Sequence, residues 1–132
     1  ALQWENILYI GEVPHWACKP LFNRSEFTLQ IVKPDYERVG LMSHRLYEAA
    51  TSGCVCFADR CIYGIEEFVP RELLVRDAEE IKYKMRHFTT QSKALNYSSY
   101  QEYMRELQRI KLSQHTVQKR VTQLEELVKN GC

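Results

Sequence analysis

The chain carries almost no net charge: 18 lysines and arginines stand against 17 aspartates and glutamates, leaving +1 at pH 7 with histidine neutral. Without an excess of one sign there is no long-range field to hold nucleic acid non-specifically, so any contact with a polyanion has to be local. Long hydrophobic runs are also missing, since nothing approaches the roughly 20 consecutive apolar residues of a membrane-spanning helix. No charged start leads into an apolar block and a small-residue cleavage site, so a cytoplasmic protein without a membrane partner is the expectation. The five cysteines (Cys18, Cys54, Cys56, Cys61 and Cys132) are an odd set without the paired spacing of a secreted disulfide framework, which points to reduced thiols. Cys54 and Cys56 alternate along one apolar run, and with Cys61 they depart from zinc-knuckle spacing, so they read as core residues. The four histidines, His15, His44, His87 and His115, contain no His-x-x-x-His pair, and no metal site is expected from them.

What is present is organised around residues 43–59. Ser43 is an acceptable N-cap, Leu46 to Ala50 contain good helix formers, and Gly53 can take the left-handed conformation that stops a helix. Cys54 to Ala58 then form an uninterrupted apolar run of the length of a strand buried on both faces. Arg45 and Glu48, three residues apart, share a face near the amino end of this helix. A cation beside free backbone N–H groups suits a phosphate, and a carboxylate one turn on suits a pair of hydroxyls.

Upstream, Ile7 to Ile10 read as a strand closed by the loop Gly11-Glu12-Val13-Pro14. Residues 15–27 support one or two helical turns around Pro20, with Trp16 packed in the core. Thr28 to Val32 form a second strand, and the loop 35–42 lies at its carboxyl end, the edge where open α/β sheets bind ligands. Downstream, Arg60 to Phe68 read as a connection with a single turn near Gly64, and Leu73 to Val75 as a short fourth strand. Asp77 caps a helix from Ala78 to about Phe88, with Ile81, Met85 and Phe88 on one face. This alternation predicts an α/β fold: a Rossmann-like half domain with about four parallel strands over residues 1–88. Residues 89–99 turn polar, a linker or weak helix, and residues 100–130 make one or two long amphipathic helices, so 89–132 form a helical C-terminal extension. Tyr100, Met104 and Leu107, then Val117, Val121, Leu124 and Val128, form an apolar stripe that covers the chain's own sheet, a missing amino-terminal domain or a second copy. Acidic and basic residues interleave beside it, which disfavours a basic DNA-binding helix.

The string Arg45-x-x-Glu48, two small residues, a short spacer and a hydrophobic strand ending in Asp59 resembles the nucleotide-sugar site of GT-B glycosyltransferases, most of all the bacteriophage DNA beta-glucosyltransferases. The order of elements is similar from about Ile7 to Phe88. The resemblance implies a UDP-sugar donor, with Arg45 on its diphosphate and Glu48 on its ribose hydroxyls. It also implies Val13 on the uracil, through the backbone of the Gly-x-apolar-Pro turn, and Tyr36 near the phosphates, one residue further from the Arg than in those enzymes. The implied activity is transfer of the sugar to modified bases of phage DNA in the cytoplasm of an infected host. A divalent metal at the diphosphate is compatible with this and not indicated by it. In the resembling enzymes the acceptor base and most of the DNA-binding groove belong to an amino-terminal domain, and no residue here is assigned as catalytic. The expectation is therefore half of a site, completed by an amino-terminal domain or subunit, or a homodimer formed through the C-terminal helix. The alternative is a non-catalytic interaction or oligomerisation module derived from the same fold; a small DNA- or RNA-binding protein fits the near-neutral charge poorly.

Overall fold

Because the run from Cys54 to Ala58 has no charged or strongly polar side chain, it can be covered on every side, and it becomes the centre of the fold. The computed structural model describes residues 2–4, 7–40, 43–90 and 99–131. In chain order the elements are β1 (Leu2–Trp4), β2 (Ile7–Tyr9), α1 (His15–Arg24), β3 (Phe27–Gln30), α2 (Pro34–Arg38), α3 (Arg45–Thr51), β4 (Val55–Asp59), β5 (Leu74–Val75), α4 (Ala78–Thr90), α5 (Tyr100–Ser113) and α6 (Val117–Lys129). Two 3-10 turns, Ile65–Glu67 and Arg71–Leu73, sit between β4 and β5.

The sheet is three-stranded and parallel, in the order β3-β4-β5, with Phe27 opposite Val55 and Ala58 opposite Leu74. It is one strand short of the expected four. The missing strand is β2, which pairs antiparallel with β1 instead, Gln3 opposite Leu8. Only residues 5 and 6 separate the two, and antiparallel strands can be joined by so short a link, whereas a parallel neighbour needs a crossover of a dozen or more residues. Helix α1 is also longer than expected, ten residues with Pro20 inside it. Trp16 on that helix is 80% exposed rather than packed in the core.

Strand β4 is covered on both faces: Val55, Cys56, Phe57 and Ala58 are all buried. Phe57 stacks between Phe27 of β3 and Phe88 of α4, at ring-centroid distances of 5.6 and 5.8 Å, and burial of such a ring is worth about 1.5–3 kcal/mol. Leu46 and Ala49 of α3 complete the packing around β4. Gly53, at φ +76°, makes the left-handed stop that turns α3 into this strand.

The second neighbour of β4 is short, since β5 pairs only with Ala58 and Asp59. The amino-terminal half of β4 therefore has backbone groups facing away from β3 with no strand, among the described residues, to receive them. Helix α5 supplies the partner. The side-chain amide of Gln108 donates to the Cys54 carbonyl and accepts from the Cys56 N–H, both at 2.8 Å, and Gln108 itself is 1% exposed. The amide thus imitates a strand residue where the sheet ends. Met104 and Leu112, one turn to either side, are buried with it.

Asp77 caps α4 as expected, its carboxylate accepting from the Glu80 N–H at 2.9 Å. Residues 91–98 of the polar segment lie outside the described residues, while Thr89 and Thr90 extend α4. The stripe on α6 does not cover the chain's own sheet: Val117, Leu124 and Val128 are 80%, 62% and 77% exposed. Helix α6 is tied at its base instead, where His115 accepts from Arg120 at Nδ1 (2.7 Å) and donates from Nε2 to the Glu67 carbonyl (2.9 Å), a pattern that fixes the Nε2–H tautomer. No helix among the described residues is long and apolar enough to cross a membrane.

Candidate functional site

The chain leaves the carboxyl end of β3, passes through α2 and reaches α3 at the rim of the sheet. This loop is pinned at Gly40, which has φ +65° and where an added Cβ would lie 2.5 Å from the Tyr63 carbonyl oxygen. The Tyr63 N–H donates to the Glu37 carbonyl at 2.9 Å alongside. Only glycine satisfies both the backbone angle and the close approach. Helix α3 then starts at Arg45, with Ser43 Oγ accepting from the Arg45 N–H at 3.2 Å and His44 as the N-cap residue. It is only seven residues long.

Arg45 lines a cleft of about 430 Å³ together with Gly11, Val13, Thr28 and Gln30. That volume falls within the range of small-molecule sites, about 300–1,000 Å³. The loop after β2 and the end of β3 thus form two walls, and Arg45 a third. Among the described residues the Arg45 guanidinium has no ion-pair partner. Other arginines are committed to carboxylates, Arg38 to Asp35 at 2.6 Å and Arg60 to Glu80 at 2.7 Å. Arginine stays charged at any accessible pH and presents a planar fork suited to phosphate.

Glu48 lies one turn on and lines an adjoining depression of about 190 Å³ with His15, Lys19 and Ser52. Cys18 borders both spaces, so the Arg45 and Glu48 depressions are neighbours. Val13 is half-buried in the wall of the Arg45 cleft. Tyr36 stands apart: it sits on α2, 45% exposed, and lines neither space. The structure therefore brings Val13, Arg45 and Glu48 to one region and leaves Tyr36 outside it.

Sequence reasoning missed several neighbours of this region. Glu12 and Cys18 line the Arg45 cleft. His15 and His44 flank Glu48, their Nδ1 and Nε2 atoms 3.7 and 3.8 Å from its carboxylate. The four-residue spacing of His44 and Glu48 was a readable signal; the approach of His15 from α1 was not. The cysteines of β4 are in a different condition. Burial pushes the Cys54 thiol up to about 11 and Cys56 up to about 12, while the Asp59 carboxylate beside exposed Cys61 raises that thiol as well. All three are protonated thiols at neutral pH, without the thiolate character of an activated nucleophile.

A family model described as glycosyl transferase-like matches residues 2–126, nearly the whole chain. The chain belongs to this glycosyl transferase-like family. The match takes in the cleft, the three-stranded sheet and α5, so the site just described lies inside the matched region. No curated protein and no solved structure matches the glycosyl transferase-like chain.

Proposed function

We propose that the chain is the donor-binding half of a glycosyltransferase, holding a UDP-sugar with Arg45 on the diphosphate and Glu48 on the ribose hydroxyls. The observation that carries this reading is an unpaired guanidinium in a ligand-sized cleft, with a carboxylate one helical turn away in the adjoining depression. Departure of a nucleoside diphosphate places negative charge on the β-phosphate, and a fixed cation offsets that charge in the transition state. The peptide groups of Gly11 and Val13, in the wall of the same cleft, supply the uracil contact. The Glu48 carboxylate accepts from both ribose hydroxyls, and a 2′-deoxyribose leaves one of its acceptor sites unpaired.

The acceptor is a modified base of phage DNA, and the group that activates it comes from an amino-terminal domain or subunit. That division supports a role for this chain in binding and leaving-group stabilisation, with acceptor chemistry supplied elsewhere. Calorimetric titration with UDP tests the donor half. Binding is expected to weaken by roughly 10- to 100-fold in Arg45→Ala, the loss of a charged hydrogen-bonding partner worth about 1.5–3 kcal/mol. Unchanged affinity in both Arg45→Ala and Glu48→Ala would remove the case.

A second reading has its own support. The exposed apolar residues Val117, Leu124 and Val128 on α6 favour a non-catalytic module that oligomerises or docks on a partner subunit through this helix. Sedimentation of the chain at several concentrations separates the readings: a strict monomer counts against self-association.

A further inference from the structure

Three side chains with metal-binding atoms converge between α1 and α3. His15 is the first residue of α1, His44 immediately precedes α3, and Glu48 lies one turn on, brought together where the two helices pack. Glu48 Oε1 stands 3.7 Å from His15 Nδ1 and 3.8 Å from His44 Nε2, and the three ligand atoms all lie within 4.8 Å of one another. Neither distance is short enough for a hydrogen bond. The imidazoles meet edge-on, with centroids 6.3 Å apart and planes at 62°. The donors therefore surround a common point instead of bonding to one another. We propose that His15, His44 and Glu48 form a binding site for a divalent transition-metal ion of the zinc type, with a fourth position open to water.

Zinc bonds of about 2.0–2.2 Å place ligand atoms about 3.4 Å apart in a tetrahedron, so the two carboxylate–imidazole distances need to close by about 0.3–0.4 Å and the imidazole–imidazole separation, within 4.8 Å, by up to about 1.4 Å. The histidine side chains are 81% and 75% exposed and can rotate that far without disturbing the core. Two imidazoles and one carboxylate suit zinc, cobalt or nickel, whereas magnesium favours an all-oxygen shell. Among the described residues this is the one group of three such side chains close enough to share an ion. Lys19 borders the same depression, and the charge of Glu48 offsets its repulsion of a cation. The site stands on this geometry and does not depend on nucleotide binding. Glu48 is common to both, so where the nucleotide reading holds, zinc competes with the ribose.

The test is calorimetric titration of the full chain with Zn²⁺, and Co²⁺ titration followed by visible absorption, both without nucleotide. One saturable site is expected, with a Co²⁺ spectrum free of thiolate charge-transfer bands. Affinity should fall at least about tenfold in each of His15→Ala and His44→Ala. Both substitutions fall on exposed side chains, and circular dichroism checks that the fold is kept. Cys18→Ser is expected to bind zinc as the parent does. Absence of saturable zinc binding, or an affinity indifferent to both histidine substitutions, overturns the proposal; so does loss of binding in Cys18→Ser with retention in the histidine variants. Failure of UDP to bind would remove the nucleotide reading and leave the metal titrations as they are.

Discussion

Replacing Gln108 by leucine should cost the fold more than any other single substitution of a polar residue in α5. The change keeps a side chain of similar volume but strips both hydrogen bonds, the one from the Cys56 N–H and the one to the Cys54 carbonyl, each 2.8 Å long. Two backbone groups would then be buried without partners, because β5 reaches only Ala58 and Asp59 and, among the described residues, no strand flanks this part of β4 on the side away from β3. Each such group costs about 1–3 kcal/mol, so the substitution should destabilise by about 2–6 kcal/mol. Leucine's greater hydrophobicity recovers only part of that. Domains of this size have about 5–15 kcal/mol of stability in all, so the variant should be marginal. Urea unfolding followed by far-ultraviolet circular dichroism measures the difference. A control is Gln101→Ala, which removes one long bond of 3.4 Å to the Glu26 carbonyl at the surface and should change stability little. If Gln108→Leu unfolds within about 1 kcal/mol of the parent, the claim that the amide completes the sheet edge is wrong.

Two further outcomes follow from the fold. Gly40→Ala should destabilise by about 2–5 kcal/mol, combining a left-handed residue with a Cβ pressed against the Tyr63 carbonyl, and a melting temperature within error of the parent would contradict it. Asp77 has its carboxyl below the usual range, chiefly through the Glu80 N–H; for Glu80, burial raises the carboxyl, but the Arg76 N–H, Lys84 and Arg60 outweigh it and the net shift is downward. Groups depressed in the folded state stabilise above their unfolded pKa values, and that contribution is lost as pH falls through the folded values. Stability should therefore decline as pH is lowered from about 5 towards 2, and Asp77→Asn, which keeps a capping oxygen, should flatten that decline. An unaltered pH profile in urea unfolding would count against the assignment.

The parts legible in the sequence were those set by local rules. Gly53 as a helix stop, the buried run of β4, the Asp77 cap and the inward Ile81 and Phe88 of α4 all follow from residue type and spacing over a few positions, although Met85, expected on the same face, is exposed. The errors arose where a distant or unlike partner decides. Ile7 to Ile10 has the apolar character of a parallel strand, but Leu2–Trp4 lies within hairpin distance and takes its pairing. Pro20 argues for a short α1, since it cannot donate an intrahelical hydrogen bond, yet the ten-residue helix continues through it. No local rule marks Gln108 as buried; only the short reach of β5 explains its burial. In the site, Arg45 and Glu48 were visible through their own spacing. Glu12, Cys18 and His15 came from other elements, and no local pattern connects them to α3.

The central claim is that Arg45 and Glu48 grip two parts of one ribonucleotide. The most direct measurement is calorimetric titration of the parent, Arg45→Ala and Glu48→Ala with both UDP and 2′-deoxy-UDP, in the absence of metal. The parent should prefer UDP by about tenfold or more, Arg45→Ala should bind both more weakly while keeping that preference, and Glu48→Ala should lose the preference. Equal affinities for UDP across all three proteins, or a ribose preference that survives Glu48→Ala, would contradict the account.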